Sequence, residues 1–136
     1  MARARTLQLP GIACSFAVAQ AARDAGTRAC LTIEPGHGSP AQTAPYAKRI
    51  EVDAGIVSLT LDHGSELLSK GAVRVIPQGR VHGFSAIGRD PARVTIETPD
   101  ERYAALVCAL AGLGPDASWR QVEAVFRAFG HQLVYE

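Results

Sequence analysis

The sequence predicts an all-β barrel or sandwich followed by two C-terminal helices. Three observations predict it. Short β-prone segments alternate with Gly, Pro and Asp turns as far as Thr98. Beyond Thr98 the apolar residues switch to a helical spacing. Two capping-box patterns, Thr98-Pro99-Asp100-Glu101 and Ser118 with Gln121, open those two helical stretches.

The elements are read in chain order. Ser15 to Gln20 and Thr27 to Glu34 flank the turn-like Arg23-Asp24-Ala25-Gly26 and read as a hairpin, although the Ala-rich first arm also fits a short helix. Glu34 to Pro45 holds three prolines and two glycines and reads as a loop. Arg49 to Asp53 is a short strand ending at Gly55. Ile56 to Leu61 alternates, with Val57, Leu59 and Leu61 on one face and Ser58 and Thr60 on the other. Asp62-His63-Gly64-Ser65 is a hairpin turn. Glu66 to Leu68 and Val73 to Ile76 continue as strands until Pro77 and Gly79 break the pattern, and Val81 to Ala86 and Arg93 to Glu97 form the next pair. In the helical part, Thr98 serves as N-cap, and Tyr103, Leu106, Val107 and Leu110 make one apolar face. Gly112 and Gly114-Pro115 end that helix. Ser118 caps the second, whose apolar face is Val122, Val125, Phe126 and Phe129, and Gly130 stops it. The tail from His131 to Tyr135 reads as a terminal strand or a docking segment. Two short amphipathic helices must cover their faces, either on the barrel or on a second subunit.

Composition bounds the function. A chain of 136 residues suits one domain, spanning 1–136, with a barrel core at about 27–98 and helices at about 99–129. It buries roughly two-thirds of its unfolded surface and needs no metal or disulfide to fold. Lys plus Arg is 14 against 13 for Asp plus Glu, which gives no electrostatic case for nucleic acid or an anionic membrane. No apolar run approaches the ~20 residues of a membrane span, and the basic start MARART is followed by no apolar leader. Cys14, Cys30 and Cys108 are scattered and odd in number; they read as buried, reduced thiols and, with the rest, place the chain in the cytoplasm.

The run Gly71-Ala-Val-Arg-Val-Ile-Pro77-Gln-Gly79-Arg-Val-His82 resembles the second signature of the cupin superfamily: G, five residues, P, one residue, G, two residues, H. The family's last Asn is Ala86 here. Upstream, the Pro- and Gly-rich segment from Glu34 to Pro45, with Val52-Asp53-Ala54-Gly55, resembles the first signature and its flanks. Counted back from Gly55, the family's Glu falls on Lys48, and its two His fall on Gln42 and Ala44. The resemblance implies a double-stranded β-helix, the jelly-roll barrel of the cupins, carrying the two C-terminal helices. It also implies an interior site where the family holds a divalent metal on two His, a Glu and a final His. Here only His82 remains of that set, so the expectation is a pocket without metal and without cofactor.

The candidate residues come from these positions. His82 reads as a base, a remnant ligand or a buried hydrogen-bonded His. Lys48 reads as an inward amine, or as a lysine snorkelling at the rim. If both point inward they converge, Lys48 is shifted below its ordinary pKa, and His82 is largely neutral. Gln42 and Tyr46 complete the expected ligand-binding set, although Tyr46 beside Pro45 equally fits simple packing. Three readings result. One is a small-molecule-binding cupin acting by acid/base chemistry as an isomerase, cyclase or epimerase, with Lys48 and His82 catalytic. Another is a non-catalytic binding or sensing module. The third is a metal-dependent dioxygenase or isomerase with displaced ligands, His37 or His63 recruited. The expected partners are a small molecule in the barrel and a second copy of the chain, with no nucleic acid and no membrane.

Overall fold

The computed structural model describes residues 3–9, 12–20, 26–62, 64–113 and 117–134; for 3–9, 12–20 and Ala111 it is the backbone alone that is described. The strands are β1 (Arg3–Leu9), β2 (Ile12–Gln20), β3 (Thr27–Ile33), β4 (Gln42–Thr43), β5 (Lys48–Ala54), β6 (Ile56–Leu61), β7 (Gly64–Leu68), β8 (Val73–Ile76), β9 (His82–Ile87) and β10 (Ala92–Thr98). The helices α1 (Arg102–Gly112) and α2 (Trp119–Ala128) come next, and then the two-residue β11 (Gln132–Leu133). They form two antiparallel sheets. One has the order β1-β2-β3-β10-β5-β8 and the other β11-β4-β9-β6-β7. No hydrogen-bonded ladder among the described residues joins the sheets into a closed cylinder, so the architecture is a two-layered jelly roll.

Period-two alternation fills the space between the layers. Ala29, Leu31 and Ile33 on β3, Ile50 and Val52 on β5, Val57 and Leu59 on β6, Phe84 and Ala86 on β9, and Val94 and Ile96 on β10 are all buried there. Gly55 makes the sharp step from β5 to β6 possible. Its φ is +76°, and a Cβ on it would stand 2.7 Å from the Pro91 carbonyl oxygen.

The structure corrects several expectations. The N-terminal segment adds a strand, β1, and the Ala-rich arm is strand, not helix: Gln20 pairs with Thr27 as a hairpin requires. The turn residues 21–25 lie outside the described residues, as do His63, Gly114-Pro115 and Tyr135. The loop from Glu34 to Pro45 contains β4, which inserts between β9 and β11. Thr98 does not cap α1. It is the last residue of β10, paired with Thr27, and α1 starts one turn later, after Glu101, with no side-chain cap of its own. The Asp100 carboxylate instead accepts from the Arg102 N–H at 2.8 Å. The second capping box is formed as read, with Ser118 Oγ accepting from the Gln121 N–H and the Gln121 side chain accepting from the Ser118 N–H. Cys30 and Cys108 are exposed, because each falls at an outward position of its element; the side chain of Cys14 lies outside the described residues.

Both helices pack most of their apolar faces on this chain. Tyr103, Leu106, Val107 and Leu110 of α1, and Val122 and Phe126 of α2, are buried in one cluster with the sheet residues. Val125 and Phe129 of α2 are only partly buried against that cluster. No helix among the described residues is long and apolar enough to cross a membrane.

The exit from α2 sets the path of the C-terminal tail. The Gly130 N–H donates to the Arg127 carbonyl at 3.0 Å and the His131 N–H to the Phe126 carbonyl at 2.9 Å, with Gly130 at φ +83°. This is the Schellman pattern, and it turns the chain back so that His131 enters the interior. A Cβ on Gly130 would also touch Pro45 Cγ at 3.0 Å. Gly130→Ala is therefore expected to cost about 1–3 kcal/mol, read as a lower urea midpoint; an unchanged midpoint would show that the turn is not strained by a side chain.

Candidate functional site

At one end of the space between the sheets, a cluster of polar side chains replaces the apolar filling. Strand alternation puts Lys48 there: on β5 it shares the inward face with Ile50 and Val52 and is only 3% exposed. His82 opens β9 on the same face as Phe84 and Ala86 and is 1% exposed. Its place is set by Pro77 and Gly79, whose turn carries the chain from one sheet to the other. Gln42 pairs directly with His82 across β4 and β9. Tyr46, just after β4, is buried beside them.

The geometry joins these residues in two hydrogen-bonded sets. Lys48 Nζ lies 3.1 Å from His82 Nε2, while His82 Nδ1 lies 3.0 Å from the Arg80 carbonyl oxygen. The carbonyl only accepts, so Nδ1 carries the proton and Nε2 offers its lone pair to the amine. The second set runs Gln42–His131–Tyr46. His131 Nδ1 is 2.6 Å from Gln42 Oε1 and Nε2 is 2.5 Å from Tyr46 Oη. With Gln42 Nε2 donating to the Pro40 carbonyl at 3.4 Å, Oε1 is the acceptor. His131 is then neutral with Nδ1–H, and the Tyr46 hydroxyl donates to it. Tyr103 of α1 links the sets: Lys48 Nζ sits 4.9 Å from its ring centroid, and its ring stacks on His131 at 6.5 Å.

Burial governs the protonation states. It pulls the Lys48 amine down to about 7. Burial, then the Lys48 charge, pull His82 to about 4, against the opposing Arg80 carbonyl. Burial, then Lys48, His82 and Arg102, pull His131 to about 3, with Asp100 opposing. Burial and then Asp100 raise the Tyr46 hydroxyl above its ordinary value, with Arg102 opposing. Near neutrality the cluster therefore holds two neutral imidazoles, a neutral phenol and an amine able to exist in either form.

All four residues singled out from the sequence, Gln42, Tyr46, Lys48 and His82, are brought together. His37 is not: its carbonyl accepts from the Ala86 N–H, toward the opposite end of β9 from His82. His131 is the member that sequence reasoning missed. Its signal was a His directly after a glycine helix stop, but nothing local shows that the turn aims it inward.

The donor set does not fit the divalent ion the cupin resemblance implies. The His82 lone pair is already taken by Lys48, Ala44 has no donor, and a cation would meet an amine where the family has a carboxylate. Among the described residues no three His, Cys, Asp or Glu side chains converge.

A groove of about 470 Å³ lies on the outward face of the second sheet. Ser58 and Thr60, which alternate with buried Val57 and Leu59, line it with Ser39, Gly83 and Ser85. His82 and Phe84, whose side chains share the buried face of β9, also border it.

No family model and no curated protein matches this chain. Solved structures do. A cupin-2 domain protein of Rhodospirillum rubrum superposes with a TM-score of 0.67 at 14% identity, over 82% of this chain and 86% of that one. A cupin 2 conserved barrel domain protein of Rhodopseudomonas palustris gives 0.66 at 13% identity, over 72% and 71%. This chain has the cupin fold. The polyketide cyclase RemF of Streptomyces resistomycificus shares that cupin architecture with it at a TM-score of 0.62 and 20% identity, over 72% and 73%.

Proposed function

We propose that this cupin binds a small organic molecule at the Lys48–His82 end of the jelly roll and moves a proton on it, as an isomerase, cyclase or epimerase does. One observation carries the reading. Lys48 Nζ is buried 3.1 Å from a neutral imidazole nitrogen, and no carboxylate among the described residues is bonded to it. Taking an amine out of water without a counter-ion works against folding, so a role in binding explains its presence better than packing does. The pair suits proton transfer because the amine titrates near neutral pH, where a general acid or base is most effective. An anionic oxygen, from a carboxylate or an enolate, is the natural ligand for an ammonium in this setting. That a polyketide cyclase has the same fold is compatible with such chemistry and adds no residue to the case for it.

A binding or sensing module without catalysis is the second reading. What favours it is the cover over the amine, where Tyr46, Tyr103 and His131 pack edge to face and stacked. The test is a panel of small carboxylates and enolisable acids, screened by thermal shift and native mass spectrometry. The proposal expects at least one to raise the melting temperature of the wild type and to lose roughly tenfold or more in affinity in Lys48→Met, since hydrogen bonds to charged groups are worth about 1.5–3 kcal/mol. Proton exchange on the bound compound separates catalysis from binding alone. A panel that binds equally well to Lys48→Met would overturn the site.

A further inference from the structure

We propose that Lys48 acts as a nucleophile toward carbonyl compounds, condensing with an aldehyde or ketone to form an imine inside the jelly roll. The inference rests on the reading of this end of the fold as the ligand site, and it names the substrate class. An amine attacks a carbonyl only as the free base, and enzymes obtain one at neutral pH by taking a lysine out of water, away from carboxylates. That is the arrangement here. Lys48 on β5 is 3% exposed. The groups placed around it from the other elements are His82 of β9, the Tyr103 ring of α1, and the neutral His131–Tyr46 pair beyond that ring. Asp100 and Arg102, which touch the outer side of this group, are engaged with each other.

The neighbouring imidazole supplies what the condensation needs. The Nζ lone pair attacks the carbonyl carbon, the C–N bond forms, and the π pair of the carbonyl moves to oxygen. His82 Nε2 stands 3.1 Å from Nζ, with its lone pair directed there by the Nδ1–H bond to the Arg80 carbonyl. It takes a proton from the nitrogen and passes it to the alkoxide, giving the carbinolamine. A second N–H proton takes the same route, the C–O bond breaks, water leaves, and the nitrogen lone pair closes the C=N bond. Amine plus carbonyl gives imine plus water, with no oxidant or reductant required. An imine at this position would draw electrons from the adjacent carbon, which is how proton transfer at that carbon becomes easy without a metal.

The chain contains only two lysines, and Lys70 is exposed in the turn between β7 and β8, so it serves as an internal control. The experiment treats the intact protein with acetaldehyde and sodium cyanoborohydride near neutral pH and maps ethylated peptides by mass spectrometry, scoring the terminal amine separately. The expected result is ethylation of Lys48 at least tenfold faster than Lys70, with His82→Gln slowing Lys48 and leaving Lys70 unchanged. Equal labelling of the two, or labelling of Lys70 alone, would overturn the proposal. If Lys48 stays unlabelled while carboxylate binding still depends on it, the imine fails and the binding reading stands; if both are lost, the site itself is wrong.

Discussion

As the pH falls from 6.5 to about 4, this protein is expected to lose most of its stability. The reason lies in His82 and His131, which are pulled down to about 4 and about 3 from the ordinary 6.5. Both are depressed in the folded chain. The unfolded chain therefore binds more protons than the native one throughout this window, and stability falls as the pH falls. Each histidine contributes a slope of about 1.4 kcal/mol per pH unit at most, and the two act together over roughly the same range. Their sum is comparable with the roughly 5–15 kcal/mol that holds a domain of this size together. Structural logic agrees, because protonating His131 at Nε2 reverses the Tyr46 hydrogen bond and buries a charge, and protonating His82 at Nε2 sets two cations 3.1 Å apart. Asp100 is also held below its ordinary value, by Arg102, but it is only half-buried and its contribution is lost only at lower pH. Urea titrations at a series of pH values check this. The midpoint should fall steeply below pH 6.5, and His131→Gln should flatten part of the fall. A midpoint constant down to about pH 4 would mean that neither imidazole is buried in solution.

Most of this site was visible in the primary structure for a physical reason. In a strand whose inward face is apolar, parity decides orientation, so Lys48, two residues before Ile50 and four before Val52, had to point inward unless the strand ended early. His82 comes after a Pro-x-Gly turn at fixed spacing. Parity also held the answer for Cys30, which lies between inward Ala29 and Leu31 and so faces out; the habit of treating cysteine as a buried residue type hid it. What was not legible depends on contacts distant in the chain. Thr98 looks like an N-cap from its local sequence. The ladder of β10 with β3 and β5 captures it first, and seven paired residues outweigh one capping hydrogen bond. His131 is set by three distant features at once: the left-handed Gly130, the Gln42 side chain on β4 and the Tyr46 hydroxyl. None of these is marked in the tail sequence itself.

Replacing Lys48 by Met should make the protein more stable while destroying its proposed function. Lys48 titrates at about 7 in the folded chain against 10.5 for an ordinary lysine. The folded value is the lower one, so between pH 7 and 10.5 the unfolded chain holds more protons, and stability rises with pH across that window by about 1.4 kcal/mol per unit. Below pH 7 the fold carries the whole deficit. Methionine has a similar length and no charge, and it fills the space beside Tyr103 without desolvating an amine. What it loses is the hydrogen bond to His82 Nε2, which leaves a buried acceptor unpaired at a cost of about 1–3 kcal/mol. At pH 6 the relief of the amine's deficit exceeds that loss, so Lys48→Met should melt at a higher temperature than the wild type. By about pH 10 the order should reverse, because most of the deficit has then gone as the pH nears the unfolded value of 10.5, while the neutral amine of the folded wild type still has its hydrogen bond. The wild-type melting temperature should rise between pH 7 and 10, and that of the variant should not. A variant less stable than the wild type at pH 6, or a wild type with no rise above pH 7, would show that Lys48 keeps its charge in a solvated setting. Its burial would then no longer argue for a ligand. The expected crossing of the two curves makes the opposite point: a residue whose removal strengthens the fold under ordinary conditions is held there by what the site binds.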